Sequence, residues 1–351
     1  MPSRLLVPLL YLPALFFEAL VRTRNLIYTA GFLPVERLPR PVISIGNLTL
    51  GGAGKTPFAI YAAATLLRMG VTPALLSRGY GRLSDRDLLI VPPGKDENIS
   101  PLAIGDEPAL IKRHVPGIWL GIGARRDLAG QKIAKQDRRV VFLLDDGFQH
   151  RRLHRDMDIL IIDRTQPLER NHPMPRGTLR EPLSSLGRAQ VIVINGTCSP
   201  QSPDALEIFL RRRNPQAPIL QCSQTIDLLT PYQEWKTSPV PLPAATEGPK
   251  AFLVAALGNP ERFRRDLAAK GIAITGRRFF RDHYQLRPKD WIACTVQAKA
   301  RSSDVIITTE KDAVKISEAP DFPLWVAVQA TRMEDPIRFE RLIGAVVRET
   351  R

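Results

Sequence analysis

The chain has 351 residues, enough for two domains with sizeable cores, and its 44% hydrophobic and 24% charged content argues against disorder. A formal net charge of +15 predicts an anionic partner: nucleic acid, an anionic membrane surface or a phosphorylated substrate. The three cysteines, Cys198, Cys222 and Cys294, lack metal-ligand spacing and argue against a disulfide framework. A reducing, cytosolic setting is therefore favoured.

The first element along the chain is an apolar segment, Leu5–Val21, whose only charge is Glu18. It is short for a membrane-spanning helix, contains two prolines and is followed by Arg22 and Arg24. The segment has no small-residue cleavage site of the kind that ends a secretory signal. We favour a helix that lies in the membrane interface with its arginines at anionic headgroups. A membrane span and a core helix are the alternatives.

A glycine-rich turn follows the next apolar run, Val42–Ile45, and precedes a helical pattern. This order predicts a phosphate-binding loop, although Thr49 stands where the pattern G-x-x-x-x-G-K-[ST] has its first glycine. Backbone N–H groups of such a loop converge on an anion, while the lysine reaches the outer phosphates and the threonine holds Mg²⁺. The residues predicted to bind the nucleotide are Thr49, Leu50, Gly51, Gly52, Ala53, Gly54, Lys55 and Thr56.

Strand-like runs and helical patterns then alternate. Strands are expected over Pro41–Ile45, Val71–Ser77, Val140–Leu144, Asp158–Ile162 and Ala189–Ile194. Helices are expected near Pro57–Met69, Glu107–Arg113, Arg125–Lys135 and Pro203–Arg212. The alternation predicts an α/β, P-loop NTPase-like fold, a mostly parallel sheet with helices on both faces.

Two acidic motifs follow from this arrangement. Asp145 and Asp146 end a buried strand, where a carboxylate beside a phosphate loop holds the Mg²⁺ of a bound nucleotide; an Asp-Gly turn is the alternative. Asp106 and Glu107 precede Pro108. Asp106 is either a helix cap or a carboxylate that accepts a proton from an attacking hydroxyl, and spacing alone does not choose between them.

Five prolines between residues 231 and 249 predict a connector, after which strand and helix patterns resume. The predicted organisation is an N-terminal membrane-associating helix (1–34), a P-loop core (35–225), a connector (226–249), a smaller α/β lobe (250–330) and a C-terminal helix (331–351). In the second lobe, His283 is either a structural histidine or a group that orients a carboxylate across the cleft. Arg125 is a candidate phosphate clamp, whereas Arg126 is expected to be solvated.

Taken together, the motifs resemble the tetraacyldisaccharide 4′-kinase family, the lipid A kinases of Gram-negative bacteria. The resemblance covers residues 41–316 in the family's order. It rests on Gly46-Asn47-Leu48-Thr49, Gly51–Pro57, Ser77–Gly81, Gly105–Pro108, Asp145–His150, Leu179–Pro182, Gly258-Asn259-Pro260, Asp282-His283 and Thr309–Lys315. The family's loop also lacks the glycine at the position of Thr49. Tyr284 and Arg176 depart from its pattern.

The resemblance implies transfer of the ATP γ-phosphate to the 4′-hydroxyl of a tetraacyldisaccharide 1-phosphate. It implies ATP and Mg²⁺ as cofactors and a peripheral or N-terminally anchored position on the cytoplasmic face of the inner membrane. The catalytic positions are Asp106 as the base, His283 as its support, Lys55 and Arg125. The metal positions are Thr56, Asp145, Asp146 and Glu181. The substrate positions are Asn47, Tyr80, Glu107, Gln149, His150 and Arg180.

Two other functions remain as alternatives. A membrane-recruited P-loop ATPase that acts on a protein partner often carries lysine at the position of Leu50, which counts against it here. A nucleic-acid-dependent ATPase would account for the basic charge, but no nucleic-acid-binding module is recognisable. We therefore expect an anionic glycolipid partner, no nucleic acid and no obligate protein partner.

Overall fold

The computed structural model describes residues 10–80, 82, 88–94, 100–166, 168–196, 204–238 and 248–349. The strands are β1 (Val42–Gly46), β2 (Thr72–Ser77), β3 (Leu88–Val91), β4 (Trp119–Gly123), β5 (Val140–Asp145), β6 (Met157–Asp163), β7 (Val191–Asn195), β8 (Ile219–Pro231), β9 (Lys250–Ala255), β10 (Ala273–Phe279), β11 (Val305–Thr309) and β12 (Leu324–Met333). The α-helices are α1 (Tyr11–Thr29), α2 (Lys55–Arg68), α3 (Pro101–Ile104), α4 (Asp106–His114), α5 (Arg126–Gln136), α6 (Ala205–Arg213), α7 (Tyr232–Thr237), α8 (Pro260–Ala269), α9 (Pro288–Ala300), α10 (Glu310–Ala313) and α11 (Pro336–Glu349).

Within the described residues, twelve strands form one sheet in the order β10-β9-β11-β12-β8-β7-β6-β1-β5-β2-β4-β3. Neighbouring strands are parallel except at two pairs, β3–β4 and β8–β12. Apolar side chains form separate buried clusters on the two faces of the sheet, each covered by helices. The predicted α/β class, with a mostly parallel sheet and helices on both faces, is therefore confirmed.

The long strand β8 joins two sets of parallel strands. It pairs with β7 as far as Cys222, which lies opposite Asn195, and with antiparallel β12 from Cys222 to Pro231. Strands β9–β12 thus run opposite to β1–β2 and β4–β7, and the carboxyl ends of the two sets face one another. We call β1–β7 with their helices the first lobe, and β9–β12 with α7–α10 the second lobe. Because ligands bind beyond the carboxyl ends of parallel strands, this reversal places both binding edges at one cleft.

The chain around β8 differs from the predicted connector over 226–249. Alternating residues of β8, including Ile226 and Thr230, are buried, and α7 buries Tyr232 and Trp235. The prolines at 239–243 lie outside the described residues. The C-terminal helix α11 also returns to the first lobe, where the Phe339 ring meets that of Phe58 edge-on at 5.5 Å.

Helix α1 docks on the first lobe through polar contacts of Arg24, Asn25 and Thr29 with Glu181 and Arg151, and through two buried apolar residues. Asn25 Nδ2 donates to Glu181 Oε2 at 3.0 Å, and Ala14 and Val21 are buried. Its other face is apolar and open, with Leu12 74% and Phe16 67% exposed. Residues 5–9 of the predicted segment lie outside the described residues. Among the described helices, none combines the length and the apolarity needed to cross a membrane.

Candidate active site

A glycine loop (residues 49–54) connects β1 to α2 at one wall of the cleft. Gly51 and Gly54 have φ angles of 103° and 86°, which L side chains rarely adopt. Lys55 begins α2, so the positive end of the helix lies at the loop. Residues 51–56 line the cleft, as predicted. Thr49 and Leu50 instead lie beside it, where Leu50 N donates to Thr178 O at 2.7 Å.

Two side-chain amides that the sequence analysis missed hold the glycine loop in place through hydrogen bonds to its backbone. Asn195 Nδ2 donates to Ala53 O at 3.1 Å, and Gln224 Nε2 donates to Gly54 O at 2.6 Å. The two amides also bond to each other at 3.0 Å. A Cβ at Gly54 would collide with both of them. Glycine is therefore required there both by its φ angle and by this close approach.

The Lys55 ammonium points back over the loop. Its Nζ donates to Asn47 Oδ1 at 3.0 Å and lies 3.4 Å from Asp146 Oδ1. Asn47 in turn donates from Nδ2 to Thr49 O, and the backbone carbonyl of Asn47 accepts from Gln149 Nε2. The predicted substrate residues Asn47 and Gln149 therefore lie within one hydrogen-bond chain of Lys55.

The paired acids at the end of β5 have different surroundings. Asp146 receives two bonds from the Arg180 guanidinium, at 2.8 and 2.9 Å. Burial opposes its charge, but Arg180 and Lys55 outweigh burial and lower the pKa of Asp146 to about 2. Asp145 is 8% exposed and accepts from Ser77 Oγ at 2.9 Å. Burial, together with the charges of Glu107 and Asp146, raises the pKa of Asp145 to about 7.

The donor set at this edge fits a Mg²⁺ ion. Asp145 and Asp146 offer carboxylate oxygens and Thr56 a hydroxyl, and burial, followed by the charges of Glu107 and Asp146, disfavours an unpaired anion at Asp145. Within the described part of the chain, no three His, Cys, Asp or Glu side chains are grouped to hold a metal by themselves. Mg²⁺ typically takes one or two carboxylates and completes its shell with phosphate oxygens and water. The arrangement therefore suits a metal bound together with a nucleotide.

Across the cleft, Asp106 is bonded to His283. His283 Nδ1 lies 3.0 Å from Asp106 Oδ2 and 3.2 Å from Oδ1, although 177 residues separate the two. Burial raises the pKa of Asp106, but the His283 hydrogen bond and the charges of Lys311 and Lys315 together lower it below the ordinary value. The same hydrogen bond raises the pKa of His283. Gly105, not Asp106, is the N-cap of α4, and Asp106 is the first helical residue, so the cap alternative of the sequence analysis is wrong and the catalytic one stays a prediction.

The two arginines at the start of α5 are placed the other way round from the sequence prediction. Arg125, predicted to lie near the transferred phosphate, is exposed and pairs with Asp127 at 2.7 Å. Arg126, predicted to be solvated, donates from Nη1 to the Asp145 carbonyl at 3.1 Å. Because Arg125 is the N-cap and Arg126 the first helical residue, their side chains leave the backbone in different directions.

Glu181, predicted to handle the metal, has other partners in the structure. It is fully buried and accepts from Arg188 at 2.7 and 3.2 Å and from Asn25 at 3.0 Å. Burial opposes its charge, but Arg188 outweighs burial and lowers its pKa. Its carboxylate therefore anchors α1 to the first lobe, with its charge paired to Arg188.

The remaining predicted residues lie around this centre. Tyr80 is 70% exposed, and its ring centre lies 5.0 Å from that of His283, with the rings edge-on. Glu107 lines the cleft and pairs with Lys311 at 3.3 Å. Burial and the charges of Arg126 and Arg155 lower the pKa of His150 to about 4. Its ring is therefore neutral at pH 7.

The second lobe closes over the glycine loop. The cleft lining includes Gly258, Asn259, His283 and Lys311 from this lobe. A Cβ at Gly258 would lie 3.4 Å from the backbone nitrogen of Gly52, so the two loops nearly touch. The glycine loop and His283 line one cleft, with the acids at the end of β5 next to Lys55 and Asp106 bonded to His283. These are the kinds of group that phosphoryl transfer requires.

Comparison with known proteins gives one consistent result. The model of the tetraacyldisaccharide-1-P 4′-kinase family matches residues 4–348. A tetraacyldisaccharide 4′-kinase of Geobacter sulfurreducens is 34% identical over 98% of this chain and 95% of its own length. That of Desulfotalea psychrophila is 34% identical over 93% and 92%. Among solved structures, LpxK from Aquifex aeolicus in complex with ATP aligns with a TM-score of 0.74 and 28% identity, covering 97% of this chain and 98% of that one.

Proposed function

The chain belongs to the tetraacyldisaccharide-1-P 4′-kinase family, and on that premise we propose that its cleft transfers the γ-phosphate of ATP to the 4′-hydroxyl of a tetraacyldisaccharide 1-phosphate. This reaction is a step of lipid A biosynthesis. One observation carries the proposal: His283, bonded to Asp106, lines the same cleft as residues 51–56 of the glycine loop and α2. A proton acceptor and a nucleotide-phosphate site thus share one cavity.

Asp106 is the base in this proposal. Its lowered pKa keeps it a carboxylate at neutral pH. As the 4′-oxygen bonds to the γ-phosphorus, the bond from that phosphorus to the bridging oxygen breaks, and the hydroxyl proton passes to Asp106. A carboxylate with a low pKa is a weak base, so its benefit comes from position. Such a base contributes roughly 10²–10⁴-fold to the rate.

Positive charge is supplied around the phosphates. Lys55 extends from the start of α2 to the cleft, and Arg180 and Arg126 lie at the acidic edge, bonded to Asp146 and to the Asp145 carbonyl. Thr56, Asp145 and Asp146 would hold the Mg²⁺ ion. When bound, that ion neutralises charge on the nucleotide phosphates. The near contact of Gly258 with the glycine loop brings the second lobe against the proposed phosphate site.

Helix α1 brings the enzyme to its lipid substrate in this proposal. Its open apolar face fits a membrane interface, and Arg22, which pairs with Glu18 at 2.6 Å, lies on the same helix. We expect Leu12→Ser combined with Phe16→Ser to reduce sedimentation with anionic phospholipid vesicles. The matched control, Ile292→Ser with Val296→Ser, removes an equally spaced apolar pair on α9, 65% and 61% exposed. Equal loss from both pairs would exclude α1 as the principal anchor.

The reaction itself is tested by its product. The purified chain, ATP, Mg²⁺ and tetraacyldisaccharide 1-phosphate should yield a lipid heavier by one phosphoryl group in mass spectrometry, and Lys55→Met should not. ATP hydrolysis without that lipid product would refute the kinase proposal. Stimulation of hydrolysis by a protein fraction or by DNA or RNA, with steep salt dependence in the nucleic-acid case, would support the two alternatives instead.

A further inference from the structure

Lys311 has a set of partners that phosphate binding does not explain. It is the second residue of α10, and its side chain is 15% exposed. Its Nζ lies 3.3 Å from Glu107 Oε1, 3.1 Å from Asp282 Oδ1 and 3.2 Å from His283 Nε2. An ammonium has three N–H donors and no acceptor. The three acceptors therefore use all of its donors, and none is left for a nucleotide phosphate.

The contact with His283 determines where the imidazole proton lies. Burial lowers the pKa of Lys311, but the carboxylates of Glu107, Asp106 and Asp282 outweigh it and raise the pKa, so the ammonium stays charged. A charged ammonium donates, so Nε2 must be the acceptor and carries no proton. The proton of the neutral ring is then on Nδ1, which faces Asp106.

We propose that Lys311 is a positioning residue for phosphoryl transfer, which holds His283 as the neutral Nδ1–H tautomer so that the ring donates to Asp106. This role rests on the proposed kinase function. The alternative state of the pair is an imidazolium bonded to Asp106, in which the carboxylate faces a full positive charge and accepts a proton less readily. Lys311 disfavours that state because its own charge lies 3.2 Å from Nε2.

Among the charged groups around His283, Lys311 lies nearest to Nε2. Asp106 and Glu107 face the ring from α4, Asp282 precedes it with Oδ2 at 3.8 Å from Nε2, and the Tyr80 ring meets it edge-on. Lys315, just beyond α10, reaches Asp106 Oδ2 at 3.6 Å and also bonds Asp312 and the Tyr284 carbonyl. Lys315 thus supplies a matched control: it is a second buried lysine of the same motif, and it contacts the carboxylate.

The direct test is nitrogen NMR of the full chain labelled with 15N-histidine, with His283 assigned by His283→Gln. In the wild type we expect Nδ1 protonated and Nε2 unprotonated at pH 9, a pH chosen because the hydrogen bond to Asp106 raises the pKa of His283 and the tautomer is observed only in the neutral ring. Lys311→Met should protonate Nε2, whereas Lys315→Met and the exposed Lys270→Met should leave it unprotonated. A protonated Nε2 in the wild type would overturn the proposal without any variant. Lys311→Arg keeps a charged donor, so protonation of Nε2 in a folded Arg variant would also overturn it.

Kinetics supply the second readout. In Lys311→Met, kcat at pH 7 should fall about 10- to 100-fold, part of the roughly 10²–10⁴-fold that a positioned base supplies, with the Kd for ATP within about twofold. The acidic limb of the kcat profile should move to higher pH, because loss of a nearby positive charge raises the pKa of both His283 and Asp106. An unmoved limb would contradict the role. If the wild type makes no phosphorylated lipid, the proposed function fails, and the NMR result still decides the tautomer.

Discussion

Asp145 and Asp106 are both buried carboxylates at the cleft, 8% and 5% exposed, yet their neighbours shift their pKa values in opposite directions. Burial acts on both. At Asp145, the acids Glu107 and Asp146 add to burial and raise its pKa to about 7. At Asp106, the His283 hydrogen bond and two lysines overcome burial and lower its pKa.

The difference separates two kinds of chemistry within one cavity. Burial and two neighbouring acids disfavour the charged form of Asp145, which a cation would stabilise, whereas Asp106 has its charge balanced by the second lobe and suits proton transfer. Environments that shift the pKa values of two carboxyl groups in opposite directions are a general means of giving them different roles. In the proposed reaction, each lobe has its own part: the first would hold the phosphates, and the second would tune the base.

The largest expected effect comes from removing the base. Asp106→Asn should lower kcat by about 10²–10⁴-fold, because the amide keeps the shape but accepts no proton. The Kd for ATP should change little, since the glycine loop is untouched. Steady-state kinetics with the lipid substrate and ATP titration measure the two quantities. Asp321→Asn, at an exposed aspartate, is the control. An unchanged kcat would remove Asp106 from the base role.

A smaller effect should distinguish the two arginines at the start of α5. We expect Arg126→Met to lower kcat by about tenfold, equivalent to about 1.4 kcal/mol of transition-state stabilisation, because it removes a charge beside Asp145. Arg125→Met should lower kcat less, since that guanidinium pairs with Asp127. The same assay measures both variants. A larger loss from Arg125→Met would show that α5 rearranges when substrate binds.

These arginines also show which features of the site could be predicted from the sequence. The glycine loop and the acids after β5 were predictable because strand, turn and helix signals lie within a few residues of one another. Whether Arg125 or Arg126 enters the cleft depends on the residue at which α5 begins, and helix boundaries are the least reliable part of such predictions. The resemblance to a family located the motif but not the side-chain direction.

Contacts between distant segments were harder to predict. Asn195 and Gln224 belong to no motif, and they meet the glycine loop only because β7 and β8 end beside it. Strand β4 was missed because its short run contains Gly121, where a Cβ would lie 2.8 Å from Leu76 Cδ2. The residues alone gave His283 two alternatives, a structural histidine or a group that orients a carboxylate, and only the resemblance paired it with Asp106, because nothing local in the sequence does so.

The smallest expected effects are changes in Tm, measured without metal or nucleotide, that compare Asp145 with Asp146. Asp145 has a raised pKa, so between its ordinary value and about 7 the folded state binds more protons, and stability falls as pH rises through that window. Asp145→Asn should remove this loss and raise the Tm at pH 8 by about 2 °C or more, with less gain at pH 5.

Asp146 has a lowered pKa, so its charged form stabilises the fold at pH values above the ordinary pKa of an aspartate, and that contribution is lost as pH falls towards about 2. Asp146→Asn should therefore lower the Tm at pH 8, by no more than the equivalent of about 1 kcal/mol because the side chain is 39% exposed. Shifts of the same sign in thermal melts of these adjacent variants would refute the division of roles at the end of β5.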